Sequence, residues 1–343
     1  MKTAEDTVIM DKVRVAFIGC GGRNHVHLDK LMEIENAELV GFCDLVIERA
    51  QRFVNESGKG KAFTDFKEMV NEVKPDAVFV AVPPDCHGDI EFFLIDKNIP
   101  FQVEKPMALD MALAEKINDA INAKGLIVNC AFQDRYQNLT QIMKDYLTGD
   151  KPGHVLASWC GGIPRNEWWA IKERSGGQLV EQNCHLFDQL RYLFGEPESV
   201  YCVARKDIVD VPNWDCDPRY NVEDCSSALI RFKSGVIANV FTGCYFKDGS
   251  ASNGITVHCV NSRLDYHLRN SLEIHDYDKS ENERVTVYKR GDEQTGIQDR
   301  TFIDAVMNND GSKLLAPYSD GIKSLRLVLA CNESMDTGKV INL

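Results

Sequence analysis

Apolar residues in the first 130 positions come in short unbroken runs, and the segments between them repeat with helical period. VRVAFIG (13–19), AELVGFCD (37–44), DAVFVAVP (76–83), PFQVEK (100–105) and LIVNCAF (126–132) read as strands. The stretches 24–35, 46–58, 65–73, 86–98 and 111–125 read as helices, one ending at Gly58 and another stopped by Lys74-Pro75. Near-continuous apolar strands separated by helices predict a parallel sheet covered on both faces, the doubly wound α/β arrangement. Past 132 the rhythm changes. Two helical pieces remain, 137–148 and 176–194, and the apolar positions at 154–162, 199–207, 225–246, 254–268, 271–279 and 284–291 alternate with polar ones. RFKSGVIANV (231–240) reads as a hairpin turning at Lys233-Ser234-Gly235. Successive alternating strands with short turns predict a mostly antiparallel sheet. The tail, 297–336, is helical again, interrupted by NNDGSKLLAPYSDG (308–321). The expectation is an α/β protein of two domains, 1–132 and 133–343, joined directly near Phe132.

Composition agrees with that picture and narrows the functions. The chain has 343 residues, about the length of two domains, with 44% hydrophobic and 27% charged residues, as in soluble proteins. No apolar run approaches the roughly 20 residues of a membrane helix. The opening MKTAEDTVIMDKVRVAF lacks a basic-then-apolar leader, so a cytoplasmic protein is expected. A formal charge of −13 disfavours nucleic acid and anionic membranes, though not one local nucleotide pocket. The 12 cysteines are scattered through apolar runs without a CxxC pair, which suits small buried side chains kept reduced better than a metal site. NWDCDPRYNVEDC (213–225) is acidic, but its spacing fits no calcium loop. No metal is expected.

The candidate chemistry begins at FIGCGGRNHVH. Gly19 and Gly21 form a GxG between a strand and a helix, and the third glycine position of the longer motif falls on Asn24. Gly19 permits a tight turn, and Gly21 lets backbone approach a pyrophosphate at the helix N-terminus, with Gly22 and Arg23 completing the turn. Asp44 ends the second strand, where a carboxylate accepts from ribose hydroxyls and repels a 2′-phosphate. NAD is therefore expected rather than NADP. Arg49, a helical turn on, is placed either on adenine or in solvent. PFQVEKPMALD sets Glu104 and Lys105 at a strand end, where ligands bind in an open parallel sheet, and Pro106 stiffens the turn. GGQLVEQNCHLFDQ places Glu181 and His185 four apart in a helical stretch, on one face. Arg135 and Tyr136 lie at the expected hinge, and Arg165, Trp168 and Trp169 combine polar and aromatic groups that suit a sugar ring, with the tryptophans equally placed in the core or at a subunit interface.

These segments, in this order and together with YNVEDCSSALIRFKSGVIANV and PYSDGIKSLRLVLACNES, resemble the Gfo/Idh/MocA oxidoreductases over nearly the whole chain. The resemblance implies an N-terminal Rossmann domain and a C-terminal α/β domain with a large, mostly antiparallel sheet whose open face makes a subunit interface, so a homodimer or homotetramer. It assigns the motif lysine to Lys105 and the motif histidine to His185. The acidic position, commonly aspartate, is Glu181 here, and the next residue, Gln182, is a substrate contact. It also passes the loop of Val82, Pro83 and His87 under the nicotinamide ribose, with His87 on the cofactor; the other reading of these residues is a Pro-rich loop whose Asp85 caps the next helix. The implied activity is NAD(H)-dependent oxidation of a secondary hydroxyl of a sugar, cyclitol or glycoside. His185 is the expected base, Lys105 the oxygen stabiliser and Glu181 an auxiliary acid that polarises His185 or binds a hydroxyl, while Glu104 holds the nicotinamide end or ties down Lys105. Two other readings stay open: glycoside cleavage through transient oxidation with no net redox, and a non-catalytic NAD-binding regulator.

Overall fold

The computed structural model describes residues 11–214, 216–246, 253–277 and 282–343. The first ten positions, where the leader reading begins, lie outside them, as do single positions or short ends of the stretches read at 213–225 and 271–279.

Strands β1 (Val13–Ile18), β2 (Ala37–Cys43), β3 (Lys61–Phe63), β4 (Ala77–Val80), β5 (Phe101–Val103) and β6 (Val128–Cys130) form one sheet, all parallel, in the order β3-β2-β1-β4-β5-β6. The unbroken apolar runs are explained by two-sided burial. On β1, Val13, Val15 and Phe17 enter a core shared with the helices Gly22–Met32 and Ile47–Ser57, and Ala16 and Ile18 enter the core on the opposite face. β3 escapes the hydrophobic pattern because only one of its three residues is buried.

Strands β7 (Pro152–Cys160), β8 (Pro197–Arg205), β9 (Cys225–Phe232), β10 (Ile237–Gly243), β11 (Gly254–Cys259), β12 (Ser262–His267), β13 (Ser271–Tyr277), β14 (Glu283–Lys289) and β15 (Ile341–Asn342) form a second sheet, in the order β14-β13-β12-β11-β7-β10-β9-β8-β15. Every neighbouring pair is antiparallel except β7 and β10. The β9–β10 hairpin turns where expected, with Phe232 and Val236 closing it by a 2.9 Å backbone bond. Alternation buries Val155, Ala228, Ile230, Ala238 and Val240 against the helices Cys184–Phe194 and Tyr318–Thr337. On the other face Leu156, Leu229, Ile237 and Phe241 stay exposed, and no described element of the chain covers them.

Two departures from expectation bear on the site. The helix read over 176–194 is two, Gln178–Glu181 and Cys184–Phe194. Both Gln182 and Asn183 donate their backbone N–H to the Gln178 carbonyl, so the second bond spans five residues and widens the turn. In addition, helix Gln294–Met307 leaves the second sheet and packs on the first, burying Phe302, Ile303 and Val306 beside Phe79 and Leu31.

Candidate active site

The site is assembled where the C-terminal ends of the first sheet meet the widened turn. Gly19 follows β1 with φ +85°, and a Cβ there would lie 2.1 Å from the Ala81 carbonyl oxygen. Only glycine fits. Gly21 and Gly22 have open space where a Cβ would be, and Gly21 caps the helix Gly22–Met32 without any side-chain hydrogen bond. The first-turn N–H groups are thus left available to an anion. Asn24 points inward instead, its amide donating to the Ile18 and Gly19 carbonyls at 3.2 and 2.6 Å, which braces the turn from below. Asp44 accepts from the Cys20 and Val46 amides at 2.8 and 2.9 Å, so its carboxylate is locked beside the turn. Arg49 is exposed, 3.8 Å from Asp44. Val82 and Pro83 line the neighbouring strand end, half-buried. An open glycine turn, an uncapped helix start and an oriented carboxylate fit a dinucleotide.

At the end of β5, Glu104 and Lys105 diverge. The peptide bond between Lys105 and Pro106 is cis. The Lys105 ammonium crosses to the second half of the chain and donates to Glu181, to its carboxylate at 2.8 Å and to its backbone carbonyl at 2.7 Å. Burial alone would lower the lysine's pKa, but Glu181 raises it and keeps the side chain cationic. The other oxygen of Glu181 accepts from the indole N–H of Trp169 at 2.7 Å. Glu181 is therefore spoken for by Lys105 and Trp169 rather than by His185. The physical reason is the widened turn, which takes Glu181 and His185 off a common regular helical face.

His185 sits in an aromatic slot. Trp159 stacks on it at 6.0 Å and 22°, and Phe132 meets it edge-on at 6.1 Å and 88°. Among the described residues its Nδ1 has no hydrogen-bond partner, and the Asp134 carboxylate is 3.9 Å away. Asp134 is held by two bonds from Arg269, at 2.9 and 2.8 Å, and that guanidinium lies 5.1 Å from the Trp159 ring centre. Burial pushes the His185 pKa well below the usual histidine value, and the cations Lys105 and Arg269 push the same way. The imidazole is neutral, the form that accepts a proton.

Several candidates turn out to serve the framework. Arg135 is expected near substrate, but its guanidinium is buried and saturated by Asp188 at 2.5 and 2.8 Å, Asp320 at 2.6 Å and the Leu315 carbonyl at 2.6 Å. The hydroxyl of Tyr136 is buried too and accepts from the Leu315 amide at 2.9 Å. His87 is turned inward onto Glu91 at 2.7 Å, with its side chain 1% exposed, and not outward to a ribose. Trp169 is wholly buried, so its face is closed to a sugar. Trp168 is half-buried against the small cluster of Trp169, Val222 and Cys244. Arg165 is exposed, and Gln182 is half-buried, 3.4 Å from Gln178. The sequence reading missed Trp159, Asp134 and Arg269, which come from three separate chain segments and carry no shared spacing.

Comparisons with known proteins bear on the family and the fold. The family model described as "Oxidoreductase family, NAD-binding Rossmann fold" matches residues 13–132, and the GFO/IDH/MocA C-terminal domain matches 140–265. Glucose-6-phosphate 3-dehydrogenase of Bacillus subtilis is 26% identical over 238 residues, 67% of this chain and 67% of that protein. Glycosyl hydrolase family 109 protein 1 of Akkermansia muciniphila is 40% identical over 111 residues, 30% of this chain and 23% of that protein. In fold, the chain matches an NAD binding oxidoreductase from Klebsiella pneumoniae with a TM-score of 0.85 at 18% identity, covering 97% of this chain and 99% of that one. The two matched models are halves of one family and between them run from residue 13 to residue 265, so the chain belongs to the Gfo/Idh/MocA oxidoreductases and carries their NAD-binding Rossmann fold.

Proposed function

We propose that the protein is an NAD(H)-dependent dehydrogenase acting on a secondary hydroxyl of a sugar, cyclitol or glycoside, with residues 1–132 holding the cofactor and 133–343 the substrate. The observation that carries this reading is the meeting of Lys105, from the end of β5, with Glu181 at 2.8 Å, beside a neutral, buried His185. NAD, when bound, supplies the hydride acceptor. Gly19, Gly21, Gly22 and Asp44 would hold its pyrophosphate and ribose. His185 takes the hydroxyl proton on Nε2 or Nδ1. Lys105 hydrogen-bonds the same oxygen and favours its alkoxide character as the proton leaves. Glu181, fixed by Trp169, keeps the ammonium aimed. The exposed apolar positions of the second sheet support a homo-oligomer formed through that face.

The test is a screen of nicotinamide reduction over hexoses, polyols, inositols and glycosides. Turnover with at least one class is expected. A fresh preparation that binds NAD but reduces none of it with any of these classes would overturn the reading. The Akkermansia muciniphila relative favours one second reading, glycoside cleavage through transient oxidation. Release of nitrophenol from nitrophenyl glycosides without added NAD, with no net nicotinamide reduction, would select it.

A further inference from the structure

A buried residue of the cofactor half that the function leaves unexplained is His27. It lies on the helix Gly22–Met32, four residues after Arg23, so both side chains leave the same face. Both reach the same oxygen of Glu104, Arg23 Nε at 2.5 Å and His27 Nε2 at 3.0 Å. The other ring nitrogen of His27 meets both carboxylate oxygens of Asp299, at 2.7 and 2.9 Å. Asp299 belongs to helix Gln294–Met307 and also accepts from Gln102 at 2.7 Å, and Gln102 in turn accepts from Asn129 at 2.8 Å. The His27 side chain is 1% exposed, Asp299 0% and Glu104 6%.

A neutral imidazole carries one N–H. Held between two carboxylates, it would set a lone pair against a carboxylate oxygen, which is repulsive in a dry interior. With both carboxylates ionised, the geometry calls for an N–H on each ring nitrogen. The charged groups facing His27 are Asp299 from the late helix, Glu104 from the end of β5 and Arg23 on its own helix, with the Phe79 ring of β4 at 5.3 Å as the apolar wall. Burial would lower the His27 pKa, but Asp299 overrides it and raises it above the usual value.

We propose that His27 is a positioning residue of the active site: clamped between Asp299 and Glu104, it fixes the Glu104 carboxylate on Arg23 and on the Lys105 backbone amide, and so sets the strand end from which Lys105 reaches the reacting oxygen. Glu104 makes this link directly, since its second oxygen accepts from the Lys105 amide at 3.2 Å. Removing the clamp frees a buried carboxylate one residue from the lysine.

The kinetic part of the test rests on the dehydrogenase reading, and the spectroscopic part does not. Nitrogen NMR of the histidine rings in the wild-type protein should show His27 doubly protonated at neutral pH, with both ring N–H groups protected from solvent. A single neutral tautomer would overturn the proposal whether or not any substrate has been found. With a turned-over substrate, His27→Gln and the isosteric Asp299→Asn should each lower kcat about tenfold, with KM little changed, as expected for a small misplacement of a catalytic group. Each should also add an acid limb to the kcat profile as Glu104, half released, becomes protonatable. Variants that melt lower but keep the wild-type kcat and profile shape would show a merely structural residue and sink the idea. Should His27→Gln fail to fold, Asp299→Asn and the wild-type spectrum decide.

Discussion

Replacing Lys105 by Met keeps the side chain's length and removes its charge and its donors to Glu181. Turnover is expected to fall about 10²–10³-fold, the scale on which one oxyanion donor is usually missed. His185→Ala should cost about 10²–10⁴-fold, because a positioned base is lost. Steady-state kinetics on the two variants checks both, and full activity in either would remove that residue from the mechanism. The pH dependence has a definite sign. In the proposed mechanism His185 acts in its neutral form, and its folded pKa is depressed below the usual 6.5, so activity is expected to persist as pH falls through that value and to be lost only further down. A kcat/KM profile whose acid limb is centred at or above the ordinary histidine value would contradict this. At this scale the sequence was readable where residue type and local setting sufficed. A lysine at a strand end and a histidine in a helical stretch announced themselves. Trp159, Arg269 and Asp134 did not, because their partnership with His185 is made by three chain segments meeting in space.

At the scale of elements, the glycine turn after β1 is the most exacting. Gly19→Ala would put a methyl group 2.1 Å from the Ala81 oxygen at a φ of +85°. A loss of roughly 2–4 kcal/mol of stability is expected from strain and overpacking together. Nicotinamide binding should weaken as well, because the turn must open to relieve the clash. Thermal melts with and without NAD measure both effects, and a variant with unchanged melting and binding would refute the tight-turn argument. The strand and helix order of the first sheet was legible because two-sided burial writes itself as continuous apolar runs. The alternation of the second sheet was legible for the same reason in its one-sided form. Three things were not. The widened turn at Gln178–Asn183 has no signature in a stretch whose period is helical on both sides. The parallel pairing of β7 with β10 joins strands far apart in sequence. Strands β3 and β15 are too short to show a period.

At the scale of the whole molecule, the buried cluster around Arg135 ties distant parts of the second half together, from the segment after β6 to the last long helix. Residues 135, 188 and 320 are joined by one guanidinium, and Arg191 donates to Asp320 as well. Arg135→Met would leave Asp188 buried beside a missing cation. Breaking a buried pair from one side costs about 3–5 kcal/mol, which urea unfolding should register as a lower midpoint. A variant as stable as the parent would mean that the cluster is solvated. Its expected role at the substrate is replaced by this one, and the sequence held no hint of it, since the counter-ions lie 53 and 185 positions downstream.

The return of helix Gln294–Met307 to the first sheet has an outcome in time as well as in space. The ribosome delivers the nucleotide-binding strands first, yet the wall of their core, with Phe302 and Ile303, arrives nearly three hundred residues later. Until it does, Val13, Phe17 and Phe79 have an uncovered flank, and His27 has no Asp299 to lean on. An emerging chain cannot complete this portion early; the cofactor half is closed only after most of the substrate half has been made.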